Sequence, residues 1–157
     1  MKIDKILLLR EELEHLAQAA AHLTFSKNRT NAIIQQENWT DEELERLESL
    51  TSRFARLSDL LIQKIMRLID ELELTPDGTV LDRIQRAEKR GWIESSRDLV
   101  EIRELRNLIA HEYAADKMPD IYQAVSLLTP NLLMIVPKIQ SYAQHLAEQY
   151  SLAIGKK

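Results

Sequence analysis

The chain has 157 residues, no cysteine, three glycines, four prolines and a formal net charge of −4. That length suits one domain with a core of its own. The missing thiols exclude disulfides and thiolate metal sites and fit a reducing cytoplasm. The longest apolar run, Leu132 to Val136, is five residues, far short of the ~18 that a bilayer span needs, and the start, Met1 to Lys5, leads into charged amphipathic sequence unlike a signal peptide.

Few turn formers beside abundant Leu, Glu, Ala and Arg predict an all-α fold for residues 1–157. Residues 3–23 carry Ile6, Leu9, Leu13, Leu16, Ala20 and Leu23 at helical spacing. Residues 24–40 lose that period and collect Thr, Ser, Asn and Gln, which predicts a loop. Thr40 with Glu43 forms a capping-box signature, and Trp39 is placed to staple onto Leu44. From there Leu44, Leu47, Thr51, Phe54, Ser58, Leu61, Ile65, Leu68 and Leu72 step by threes and fours, a heptad seam reaching towards Pro76. Such a helix would be ~50 Å long at 1.5 Å per residue. It therefore either breaks or reaches past a small domain, and Thr51 and Ser58 on the seam favour packing inside the bundle.

Thr75-Pro76-Asp77-Gly78 reads as a turn, residues 79–90 as a short helix stopped by Gly91, and about 95–113 as the next helix, capped by Ser95 or Ser96. Pro119 marks the first turn of another helix, Pro130 a further start after Thr129, and Pro137 a kink in a last helix ending near Ala153.

Chemistry concentrates in one segment, Arg106-Asn107-Leu108-Ile109-Ala110-His111-Glu112-Tyr113. On a helix with Arg106 at 0°, Arg103 lies near roughly 60°, Ala110 near 40°, Asn107 near 100° and His111 near 140°, one polar face beside an apolar stripe of Leu99, Ile102, Leu105 and Ile109. Arg106 and His111 are ~7.5 Å apart along the axis and ~140° around it. One copy cannot easily aim both at one atom, whereas two copies facing across a two-fold axis can. A guanidinium suits a phosphate and the charge that grows on it. A histidine can take a proton from a ribose 2′-hydroxyl or supply one to a leaving oxygen. Asn107 can orient the ring or bind substrate, as can Arg103 on the same face. Chance alone supplies an Arg-x4-His roughly 0.3 times in such a chain, and roughly 0.01 times with Tyr two residues on.

His15 and His22 are seven apart on the first helix and His145 lies in the last, which does not read as a metal-ligand set, so no metal or cofactor is expected. Glycine loops and serine elbows are missing too. Residues 83–106 lean basic, and residues 37–48 are acidic.

The Arg106 to Tyr113 segment resembles the signature of the HEPN superfamily, in particular the HepT-like toxins of bacterial HEPN/MNT toxin–antitoxin pairs: arginine, a polar residue, three more, histidine, any residue, tyrosine. The resemblance implies a helical bundle, an up-down four-helix core with short helices, dimerising through the motif helix. It further implies a metal-independent endoribonuclease cutting tRNA or mRNA to a 2′,3′-cyclic phosphate, with Arg106 and His111 catalytic. A minimal nucleotidyltransferase antitoxin would silence it by AMP transfer to Tyr113, in the manner of a type VII system. The alternatives are a non-catalytic HEPN-like adaptor that presents substrate to a nucleotidyltransferase, and a helical interaction protein of another kind.

Overall fold

The computed structural model describes residues 2–75, 78–111 and 116–155, without the side chains of 151–155. Six α-helices occur among them: α1 Lys2–Thr30, α2 Asp41–Asp59, α3 Met66–Leu72, α4 Val80–Lys89, α5 Ser96–His111 and α6 Met118–Gly155. A π-helical segment, Leu60–Ile65, joins α2 to α3 without a break, and no strand is present among the described residues. The fold is all-α, as composition predicts.

α1 packs on α2, α3 and α6; α5 packs on α2, α4 and α6. One core joins them, with Leu9, Leu16 and Leu23 of α1, Leu50, Phe54 and Leu57 of α2, Leu61 and Ile65 of the π segment, Leu99 and Ile102 of α5, and Leu132 and Ile139 of α6. Each such side chain stabilises the fold by roughly 1.5–3 kcal/mol. The heptad seam is buried within the chain from Leu47 to Leu72, with Leu44 half-buried at its start. Of its two polar members, Thr51 bonds within its own helix, its Oγ1 donating to the Leu47 carbonyl at 2.9 Å, and Ser58 is buried.

The N-terminus of α2 forms as its sequence dictates. Thr40 and Glu43 close a reciprocal capping box, and the Trp39 indole donates to the Ile33 carbonyl at 2.8 Å. Trp39 and Leu44 then join a second small core of Ile33, Ile34, Leu47 and Tyr122, which ties the α1–α2 connection to the start of α6.

Four expectations need correcting or bounding. The predicted loop 24–40 is helical as far as Thr30, and its hydroxyls find partners along that helix: Thr24 Oγ1 donates to the Ala20 carbonyl at 2.8 Å and Thr30 Oγ1 to the Ser26 carbonyl at 2.9 Å. Ser26 and Thr30 face inward, so a polar composition hides a packed helical turn. Pro130 does not start a helix. α6 runs unbroken through Pro130 and Pro137, both exposed and seven residues apart on its solvent side, where water can satisfy the carbonyls that the prolines leave without a donor. Pro119 does lie in the first turn of α6. The long helix is neither straight nor broken but carries the π segment, and Pro76 and Asp77 of the predicted turn lie outside the described residues.

That π segment is marked by two hydrogen bonds. The Met66 amide donates to Leu61 rather than to Ile62, and the bypassed Ile62 carbonyl accepts from Arg83 Nη1 at 3.1 Å. Three successive residues, Leu60, Leu61 and Ile62, are buried there, so the chain is enclosed on most sides at that level. One turn further on, the buried carboxylate of Asp70 accepts from Arg86 at 3.0 Å and from Arg90 at 2.6 Å. Arg83 lies 3.9 Å from the same carboxylate, and desolvation lowers its guanidinium pKa.

Candidate functional site

α5 buries Leu99, Ile102 and Leu105 and leaves the adjoining face to polar groups. The apolar stripe thereby fixes where Arg103, Arg106 and Asn107 lie. All three line one solvent-open cleft of about 860 Å³ between α1, the α2–π junction and α5. Its other wall carries Glu12, His15, Gln18 and His22 from α1 with Arg56, Asp59, Gln63 and Lys64.

Arg106 is clamped. Its Nε donates to Asp59 Oδ1 at 2.5 Å and its Nη2 to Asp59 Oδ2 at 2.9 Å, a fork-on-fork pair that raises the guanidinium further above its usual range. The fork has five N–H donors, so three remain after Asp59 to meet a phosphate. Asp59 is the last residue of α2 before the backbone changes pitch. Arg56, Lys64 and Arg103 add further positive charge to the cleft, against Glu12 and Asp59. A protein with a net charge of −4 thus carries a locally cationic depression at its motif helix.

His15 lies in the same cleft, its Nδ1 3.4 Å from Oε2 of the buried Glu12. At that distance the Glu12 carboxylate can accept from a ring N–H of the exposed imidazole. Glu12, His15, His22, Arg56, Asp59 and Lys64 were not singled out as site residues by the sequence. The signal that could have found two of them is the seven-residue spacing of His15 and His22, which puts both on one face of α1; that spacing speaks against a metal site but says nothing of a neighbouring helix.

His111 is the last residue of α5, exposed, and is not among the cleft-lining side chains. Arg106 and His111 both lie on α5. Tyr113, together with Glu112 and the predicted end of the motif helix at 113, lies outside the described residues.

No family model, no curated protein and no solved structure matches the chain. Among the described residues no helix is long and apolar enough to cross a membrane.

Proposed function

We propose that this protein is a metal-independent endoribonuclease, the HepT-like toxin of a HEPN/MNT pair, acting as a homodimer whose two motif helices face each other. In this proposal Arg106 binds the scissile phosphate and neutralises the charge that builds on its non-bridging oxygens. His111 of the partner subunit serves as the acid/base. The ribose 2′-oxygen attacks phosphorus, its proton passes to a base, the bond to the 5′-oxygen breaks, and that oxygen is reprotonated, leaving a 2′,3′-cyclic phosphate. Arg103 and Asn107 hold the flanking backbone. AMP groups added to Tyr113 by a nucleotidyltransferase antitoxin would bring phosphate charge against Arg106 and block the site.

The observation that carries this proposal is the convergence of Arg103, Arg106 and Asn107 in one open cationic cleft, with Arg106 pre-positioned by Asp59. The test is cleavage of total tRNA and of an mRNA transcript in chelator. The native protein cuts, whereas Arg106→Ala and His111→Ala do not. Persistent cutting by both variants, or dependence on added divalent metal, removes the proposal. Intact-mass analysis after coexpression with the nucleotidyltransferase should show ~329 Da increments that vanish in Tyr113→Phe.

One observation favours a second reading: His111 does not share the cleft with Arg106 in a single copy. A non-catalytic adaptor that binds RNA or a nucleotidyltransferase through the cleft needs no histidine there. Binding without cleavage, unchanged in His111→Ala, would decide for it.

A further inference from the structure

Beside the Arg106 cleft lies a second depression of about 410 Å³, lined by Phe25, Ser26 and Arg29 of α1 and by Glu42, Glu45, Arg46, Ser49 and Arg53 of α2. The two abut. Phe25 stands three residues beyond His22, and Arg53 three residues before Arg56, with His22 and Arg56 belonging to the cleft. Arg53 Nη1 also bridges the helices here, donating to the His22 carbonyl at 3.1 Å and to Ser26 Oγ at 2.8 Å. Arg53 thereby ties α1 to α2 between the two depressions.

Phe25 is the aromatic side chain that this face leaves at the surface. It is 55 % exposed in a protein with two phenylalanines, of which the other, Phe54, is fully buried. Its ring is flanked by the Arg29 guanidinium at 5.5 Å and that of Arg53 at 6.0 Å. Both distances fall within the about 6 Å of a cation–π contact, so the exposed ring already sits among cations. An exposed aromatic beside arginines is how proteins hold unpaired bases: the ring stacks a base of any sequence and the cations take its phosphates.

Cations line both ends of this face. At the Phe25 end Arg29, Arg46 and Arg53 stand with the carboxylates of Glu42 and Glu45, which accept N–H groups such as the exocyclic amine of cytosine. The cleft end gathers Arg56, Lys64, Arg103 and Arg106. From His15 to Phe25 is ten residues of one helix, ~15 Å at 1.5 Å per residue. A duplex cannot lay one base flat on Phe25 while keeping its pair, whereas a single strand can. We infer that the face shared by α1 and α2 is a binding track for single-stranded RNA, with the backbone held in the Arg106 cleft and an unpaired base stacked on Phe25. This deepens the proposed function and rests on it for the nature of the nucleic acid.

The test is fluorescence polarisation with a 2′-O-methyl oligocytidylate of about 12 residues, within the site sizes that such grooves cover. It cannot be cut by 2′-hydroxyl attack. Phe25→Ala should weaken binding about tenfold, as loss of one stacked base does, while Phe25→Tyr stays near native and a duplex of the same length is unaffected by either. Unchanged circular-dichroism melts will show that both variants fold, since Phe25 is exposed. Binding that stays within about twofold in Phe25→Ala, or that falls equally for duplex and single strand, overturns the inference. So does loss of nucleotidyltransferase association in Phe25→Ala with oligonucleotide binding intact, which would make Phe25 a protein contact. Arg106-dependent cleavage with Phe25-independent binding leaves the nuclease proposal standing and this track fallen. Phe25-dependent binding with no cleavage does the reverse.

Discussion

Asp59 and Arg106, 47 residues apart in sequence, meet in two parallel hydrogen bonds of 2.5 and 2.9 Å at the mouth of the cleft. The pair is half-exposed, with side-chain exposures of 41 % for Asp59 and 29 % for Arg106. Solvent screening therefore limits its value to stability to about 1 kcal/mol or less. Its consequence is orientation: a flexible side chain is held with one edge engaged and the other turned to the cleft.

Asp59→Asn should accordingly barely change the melting temperature but lower cleavage about tenfold or more, because a loosened guanidinium meets the phosphate in fewer productive geometries. Single-turnover cleavage in chelator measures it. A rise in rate would instead mean that Asp59 competes with phosphate for Arg106.

A composite site predicts complementation. Arg106→Ala and His111→Ala are each inactive, but an equal mixture after subunit exchange forms heterodimers in which one of the two sites is complete. With random pairing, about a quarter of native activity returns. Two inactive proteins that stay inactive when mixed would place Arg106 and His111 in one chain's own site.

Asp70→Ala should cost about 3–5 kcal/mol, the usual penalty for leaving buried charge without its counterion. The carboxylate holds Arg86 and Arg90 and stands near Arg83, and Arg90 also bridges to Glu73 at 3.1 Å. Urea unfolding followed by circular dichroism reads the loss. A change below about 1 kcal/mol would show that the cluster is held by packing instead.

The two capping boxes give a pH signature. Backbone hydrogen bonds from Thr40 to Glu43 and from Thr79 to Asp82 lower both carboxyl pKa values below their ordinary 4.5 and 3.8. A depressed folded-state pKa contributes stability above the unfolded value and loses it as pH falls through the folded one. Stability should thus decline as pH drops below about 4.5. Glu43→Gln combined with Asp82→Asn should flatten that part of the curve, as melting temperature against pH will show.

Much of this architecture is written locally. The cap at Thr40, the staple of Trp39 onto Leu44, the stop at Gly91 and the buried seam from Leu47 to Leu72 each follow from spacing within a turn or two. The polar face of α5 is legible for the same reason, since Arg103, Arg106 and Asn107 need only helical periodicity to fall together. What stayed hidden depends on distant partners. The turn from Thr24 to Thr30 reads as loop because hydroxyls look soluble until their i−4 carbonyls are seen. The π segment needs Arg83, 21 residues away, to occupy the Ile62 carbonyl. The far wall of the cleft comes from α1 and α2, and no motif spacing reports that a helix will lie opposite another.

The π segment also decides which neighbours the two acids of this rod can serve. In a regular α-helix, residues eleven apart fall within about 20° of one another, so Asp59 and Asp70 would look the same way. One surplus residue in the winding turns everything after it by about 100°, and the two carboxylates diverge, one to Arg106 on α5 and the other to the arginines of α4. Winding the same residues as a regular α-helix, without the surplus, would realign them, and one of the two attachments would have to be given up. Backbone phase, rather than any one side chain, lets a single rod anchor both the cleft and the helix behind it.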